Sequence, residues 1–204
     1  AEGSNNTPHG TWMRSYKTLL NQIKSFGFNC IRLPFSGTTL TATPPGTAID
    51  FDKNPEFVGK NALQIFDMII DYCNEIGLYV VLDRHRRTQG DGADGSPIDS
   101  QNTLAKWKAD WLLMANRYKD RINVVGADLH NEPHDLTWSD WATMCEEVGN
   151  HIHTVAPDWV IIVEGVGADG SDHYWWGGHL KGVKTRPVVL TIPNRVAYSP
   201  HEYG

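Results

Sequence analysis

Apolar positions recur along the chain in two alternating rhythms. Trp12, Leu19, Ile23 and Phe26 fall at helical spacing, and Gly27 follows as a stop signal. The run Asn29-Cys30-Ile31-Arg32-Leu33-Pro34-Phe35 then reads as a short strand. Asn61 and Gln64 stand in capping-box relation at the head of a second helix that carries Leu63, Phe66, Ile70 and Cys73. Gly77 ends it, and residues 78–83 form the next strand. Leu104, Trp107, Trp111, Met114 and Tyr118 mark a third helix, before a strand over 123–129. Trp138, Trp141, Cys145, Val148 and Ile152 mark a fourth, before a strand over 159–163. A last strand covers 195–199.

The strands are continuously apolar, as expected when both faces of a sheet are covered. Helix and strand in strict turn imply a parallel sheet with right-handed crossovers. An open doubly wound sheet and a (β/α)8 barrel both satisfy this pattern. The phosphate-binding glycine fingerprint of nucleotide-binding sheets is absent, which lowers the first. Polar residues gathered where the strands finish raise the second, because barrel enzymes keep their active sites at that mouth. Those positions carry Arg32, then Asp83-Arg84-His85, then His130-Asn131-Glu132-Pro133-His134, then Glu164, then His201 and Tyr203. The expected fold is therefore α/β, a (β/α)8 TIM barrel, incomplete in this chain.

Composition narrows the partners. Hydrophobic residues make up 40% and charged residues 21% of 204, ordinary values for a globular domain. No apolar run reaches membrane-spanning length, so no membrane partner is expected. A net charge of −6 without a basic stripe argues against nucleic acid. Eight tryptophans suit a neutral sugar polymer, although about half of them are expected simply to fill core. Three cysteines make no disulfide scaffold, and Cys30, Cys73 and Cys145 all read as small core residues. The first residue is Ala1, with no methionine or apolar signal region, so a processed or engineered product is expected. Asn5-Asn6-Thr7 matches a glycosylation acceptor, a short pattern of little weight.

The sharpest chemical signal is Asn131-Glu132-Pro133 directly after an apolar strand. Hydrolysis of a glycoside needs a carboxylic acid to protonate the leaving oxygen and a carboxylate opposite it. A partly buried Glu132 at a barrel mouth can hold that proton near neutral pH. Asn131 can hold a sugar 2-hydroxyl, and Pro133 biases Glu132 towards an extended backbone.

Five strand-end segments together resemble glycoside hydrolase family 5. They are Ile31-Arg32-Leu33-Pro34, Leu82-Asp83-Arg84-His85, Leu129-His130-Asn131-Glu132-Pro133-His134, Val163-Glu164-Gly165 and Ser199-Pro200-His201-Glu202-Tyr203. Tyr174-Trp175-Trp176-Gly177-Gly178 and Pro193-Asn194-Arg195 resemble its bacterial endo-β-1,4-glucanase (cellulase) branch. The resemblance covers nearly the whole chain as one partial catalytic domain, 1–204, holding roughly strands two to six. It implies a secreted, retaining glycosidase of cellulose or related β-glucans that needs no cofactor and no metal. Glu132 would be the acid/base, and Asn131 would bind the 2-hydroxyl. Arg32 would lie under the site and bond the nucleophile, while His85, His201 and Tyr203 would line the cleft. Without the resemblance, Arg32 reads as an ion-paired residue and His85 as a satisfied core histidine.

Two departures from the family pattern matter. Its first strand and last two are not in this sequence, which removes the nucleophilic Glu and a substrate-platform tryptophan. Two outcomes are expected: either a second chain or fragment supplies them, or these residues alone are inactive and poorly folded. The loop from Arg86 to Asn102 lacks the aromatic cluster of close cellulase relatives, which keeps mannan, xylan or mixed-linkage glucan open as alternative substrates. Asp91, Asp94 and Asp99 there fit no calcium spacing and read as a solvated loop. Glu164 ends the strand next to that of Glu132, so distance alone leaves it open as a second carboxylate. Family position speaks against that role, and strand alternation points Glu202 away from the cleft.

Two other function classes compete with this reading, the first a metal-dependent hydrolase suggested by nine histidines. His130 and His134 flank Glu132 but do not form the helical H-E-x-x-H zinc arrangement, and His151 and His153 face different ways on one helix. A non-catalytic carbohydrate-binding fragment is the other.

Overall fold

The computed structural model describes residues 6–44, 48–90 and 94–203. Asn5 of the acceptor tripeptide and Asp91 of the acidic loop lie outside the described residues. The chain forms two compact units, Ala1–Gly92 with Arg121–Val125 and Ala93–Asp120 with Gly126–Gly204.

In the first unit, Ser15 caps helix α1 (Tyr16–Ser25) by accepting the Thr18 N–H. The cap starts the helix beyond Trp12, which the sequence pattern had placed on its buried stripe. Trp12 and Phe26 are exposed, and Tyr16 and Leu20 take the buried face instead. Tyr16 stacks on Phe57 with ring centroids 4.8 Å apart, which fixes that face inward. Strand β1 (Cys30–Ser36) follows, then helix α2 (Ala62–Glu75) behind the expected Asn61/Gln64 capping box, then strand β2 (Tyr79–Arg86).

β1 and β2 pair in parallel from Cys30↔Tyr79 onward. Two expectations need correction. Arg32 is the third of seven residues in β1, so it lies within the strand rather than at its end. Cys30 is exposed, because burial begins only in the second half of β1, whereas Cys73 and Cys145 are buried. Burial pushes the Cys73 thiol up to about 12, which leaves it an inert core residue. Buried Asn123 closes the unit: its amide donates to the carbonyls of Ile70 and Leu78, and its carbonyl accepts the Val80 N–H at 2.7 Å.

The second unit contains helix α3 (Leu104–Tyr118), strand β3 (Val124–Asp128) from Gly126 onward, helix α4 (Trp138–His153) and strand β4 (Val160–Glu164). A short antiparallel hairpin, β5 (Ala168–Asp169) and β6 (Asp172–His173), precedes strand β7 (Val196–Ser199). Thr103 and Thr137 cap the two helices. β4 runs parallel between β3 and β7, in the registers Ala127↔Ile161 and Ile162↔Ala197.

Both helices pack on the sheet through tryptophan. Trp107 and Trp111 from α3 both donate to the Leu129 carbonyl at 3.2 Å, and Trp141 from α4 donates to the Glu164 carbonyl at 2.9 Å. These indoles fill core and also pin the backbone where β3 and β4 finish. His153 is a core histidine bonded to the Trp159 carbonyl. Arg186 meets Glu146 of α4 through two guanidinium nitrogens, at 2.6 and 2.8 Å, and holds the Glu146 carboxyl below its usual range. That fork anchors the segment returning to β7.

Trp141→Phe keeps most of the ring but removes the donor to Glu164. It is expected to lower the unfolding free energy by about 1–3 kcal/mol, since a buried carbonyl loses a partner. Urea denaturation checks this, and an unchanged midpoint would show that the indole N–H contributes nothing.

Candidate active site

The first unit brings together two of the residues singled out from the sequence. Fully buried Asp83 accepts from Arg32 Nη1 at 2.9 Å and from His85 Nδ1 at 2.7 Å on one oxygen, Oδ2. β1 and β2 set this up through the register Pro34↔Asp83, which leaves Arg32 one strand over from its acceptor. Asp83 had been noted only as part of a motif, yet it orients both the guanidinium and the imidazole. The signal available in the sequence was its place two residues before His85.

The second unit brings together Glu132, His201 and Tyr203, with Asn131 buried immediately before Glu132. Glu132 Oε1 accepts from the Tyr203 hydroxyl and meets His201 Nδ1 at 2.9 Å. Glu164, which the sequence places at the end of the strand next to that of Glu132, joins this cluster as a partner of both His201 and Glu132. Its side chain has no solvent exposure. Oε2 accepts the Glu132 backbone N–H at 2.6 Å, and Oε1 lies 3.1 Å from His201 Nε2. Both oxygens are turned into protein, so Glu164 does not present itself as an attacking carboxylate.

The backbone at Glu132 differs from the local expectation. Pro133 favours an extended residue before it, but Glu132 has φ 49°. Such a left-handed conformation costs a non-glycine residue about 1–3 kcal/mol, and the short hydrogen bond to buried Glu164 opposes that cost.

Gly177 closes the cluster. Its carbonyl accepts from Gly165 N–H at 2.8 Å and His201 N–H at 3.1 Å, joining the end of β4 to the segment after β7. A Cβ there would lie 2.8 Å from Glu164 Oε2, 3.0 Å from His201 Cγ and 3.2 Å from Glu132 Cγ, and φ is +78°. Only glycine leaves room for the three side chains to meet.

Tyr174, Trp175, Trp176 and Tyr203 wall a pocket of about 340 Å³ with Glu132 at its side, a volume within the range of small-ligand sites. Trp175 and Trp176 are half exposed, and His134 stacks on Trp176 with centroids 4.0 Å apart. Tyr174 donates to Glu202 at 2.8 Å, and that carboxylate raises the Tyr174 phenol above its usual value. Glu202 therefore supports the outer wall while its neighbours His201 and Tyr203 bond Glu132. Trp107, Trp111, Trp138, Trp141 and Trp159 are buried, which leaves this pair as the exposed indoles of the unit. In the loop before α3, Asp99 accepts from the backbone N–H groups of Gln101 and Asn102 and acts as a turn cap.

Comparison with known proteins gives a consistent result. The family model Cellulase (glycosyl hydrolase family 5) matches residues 2–204. An endoglucanase of Paenibacillus polymyxa is 44% identical over 213 residues, covering 100% of this chain and 53% of that protein. The major extracellular endoglucanase of Xanthomonas campestris is 37% identical and covers 100% and 44%. A solved endocellulase from Pyrococcus horikoshii, in complex with cellotetraose, is 35% identical with a TM-score of 0.89 over 99% of this chain and 60% of its own. The chain spans about half the length of the curated relatives it matches. The likeness extends to the fold expected from the sequence, a (β/α)8 barrel represented here by five parallel strands among the described residues. Family model, curated relatives and solved structures agree, and the chain belongs to glycosyl hydrolase family 5, the cellulase family.

Proposed function

We propose that this chain is part of the catalytic domain, spanning 1–204 as roughly strands two to six, of a retaining enzyme that hydrolyses internal β-1,4-glucosidic bonds in cellulose or related β-glucans. The observation that carries the reading is the Glu132 carboxyl, held by His201 and Tyr203 beside a pocket walled by two half-exposed tryptophans. Aromatic faces bind the apolar faces of sugar rings, and a carboxyl beside them can reach the linking oxygen. Relatives named as endoglucanases, and an endocellulase complex with cellotetraose, support β-1,4-glucan as the substrate class. A relative named as an extracellular endoglucanase supports secretion.

In this reading Glu132 gives its proton to the glycosidic oxygen while a second carboxylate attacks the anomeric carbon. The leaving saccharide departs as an alcohol and a covalent glycosyl-enzyme forms. Glu132, now a carboxylate, takes a proton from water, whose oxygen displaces the enzyme carboxylate. Asn131 binds the 2-hydroxyl, and Arg32 and His85, oriented by Asp83, serve the nucleophile and the sugar. The nucleophile comes from outside these 204 residues, on the missing strands or a second chain.

Glu132→Gln in the full-length enzyme is expected to cut turnover of β-glucan about 10²–10⁴-fold. Aryl glycosides with good leaving groups should lose far less kcat/KM, since their departure needs little protonation; equal losses would remove Glu132 from the acid role. Trp175→Ala is expected to raise KM roughly two- to tenfold with little change in kcat, from about 0.5–1.5 kcal/mol of aromatic contact. Steady-state kinetics on cello-oligosaccharides measures both. The 204-residue chain alone, verified at 22.9 kDa by mass, should release no new reducing ends from soluble β-glucan. Robust turnover by that chain as a monomer would place the nucleophile within it.

A further inference from the structure

We propose that Glu164 is a positioning residue for the acid: it makes His201 donate from Nδ1 to Glu132 Oε1 and holds the Glu132 backbone in its left-handed turn. The inference rests on the reading of Glu132 as acid/base and adds a residue that touches neither sugar nor reacting atoms.

A neutral imidazole has one donor nitrogen and one acceptor nitrogen. His201 presents Nδ1 to Glu132 Oε1 at 2.9 Å and Nε2 to Glu164 Oε1 at 3.1 Å. The Tyr203 hydroxyl also donates to Glu132 Oε1, which marks that oxygen as an acceptor. On our assignment His201 Nδ1 also donates to that oxygen, and Nε2 faces a carboxyl oxygen that then shares a proton with it. Glu164 and His201 hold that one proton between them, as a neutral pair in which Nδ1 is always a donor. Within this unit the titratable groups against Glu132 are Glu164 from β4, His201 and Tyr203 from the segment after β7, and His134 from its own loop, whose Nδ1 meets the Glu132 carbonyl at 2.8 Å.

With Oε1 engaged by two donors, the transferable proton resides on Glu132 Oε2. On transfer the Oε2–H bond breaks and the proton passes to the leaving oxygen. The carboxylate left behind keeps both donors on Oε1, which stabilise its charge. The second contact works on the backbone: Glu164 Oε2 takes the Glu132 N–H at 2.6 Å, and Gly177 permits the approach. One buried side chain thus sets both the direction of the acid and the donors on its inner oxygen.

Two substitutions in the full-length enzyme test this. In Glu164→Gln the amide nitrogen can donate to His201 Nε2 while the amide oxygen accepts the Glu132 N–H, so kcat/KM on cello-oligosaccharides should stay within a few-fold of wild type. Glu164→Leu keeps the bulk and loses both contacts. It should cost about 10²-fold on the same substrates, the scale of a displaced catalytic group, with little loss on aryl glycosides that have good leaving groups. A merely structural role would lower both substrate classes equally, and that outcome overturns the proposal, as does a Gln variant as impaired as Leu. Glu132→Gln is run beside them: if it too lacks leaving-group dependence, the acid reading itself fails. Should the Leu variant not fold, nitrogen-15 NMR of wild-type His201, assigned by its loss in His201→Gln, decides alone. A protonated Nδ1 is expected, and a bare Nδ1 overturns the proposal.

Discussion

The 2.6 Å hydrogen bond from the Glu132 N–H to the buried Glu164 carboxyl is the contact around which the second unit's site is arranged. It joins the loop after β3 to the end of β4, opposes the cost of a left-handed glutamate, and places a carboxyl on the far side of His201. A charged or proton-sharing side chain with no solvent exposure is costly unless its oxygens are occupied. Here the backbone donor and the imidazole occupy them, so the same groups that satisfy Glu164 also orient Glu132.

The surrounding packing serves that contact. Trp107 and Trp111 fix the Leu129 carbonyl just ahead of the loop, and Trp141 fixes the Glu164 carbonyl at the end of β4. Each indole presents an apolar body to the helix–sheet core and one N–H to a strand-end carbonyl, so burial and hydrogen bonding act at the same place. Gly177 does the complementary work from the other side, bonding the Gly165 and His201 backbones while keeping its own side-chain space empty. The first unit repeats the principle on a smaller scale, with one buried carboxyl, Asp83, aligning Arg32 and His85.

How much of this was legible in the sequence differs by level. The four α-helices and five parallel strands among the described residues were visible as apolar rhythm, and the Asn61/Gln64 box was found where local chemistry put it. The first helix was misjudged at both ends, because spacing alone admitted Trp12 and Phe26 while the Ser15 cap and the Tyr16–Phe57 stack selected another face. Cys30 departs from the expectation because burial in β1 begins only in its second half. Glu132, His201 and Tyr203 were identified by motif, and they do meet.

By itself the sequence determined the alternation of helices and strands, the position of Glu132 just past a strand, and the family. These are properties of local spacing and short motifs, which act within a few residues of chain. Only the tertiary structure decided that Glu132 is left-handed rather than extended, that Glu164 braces it through His201, and that Asp83 aligns Arg32 with His85. Each depends on groups 32 or more residues apart, or on neighbouring parallel strands, held at hydrogen-bond distance in a low-dielectric interior. Local bias towards an extended residue before proline is small beside a short bond to a buried carboxyl, so the long-range contact sets the conformation.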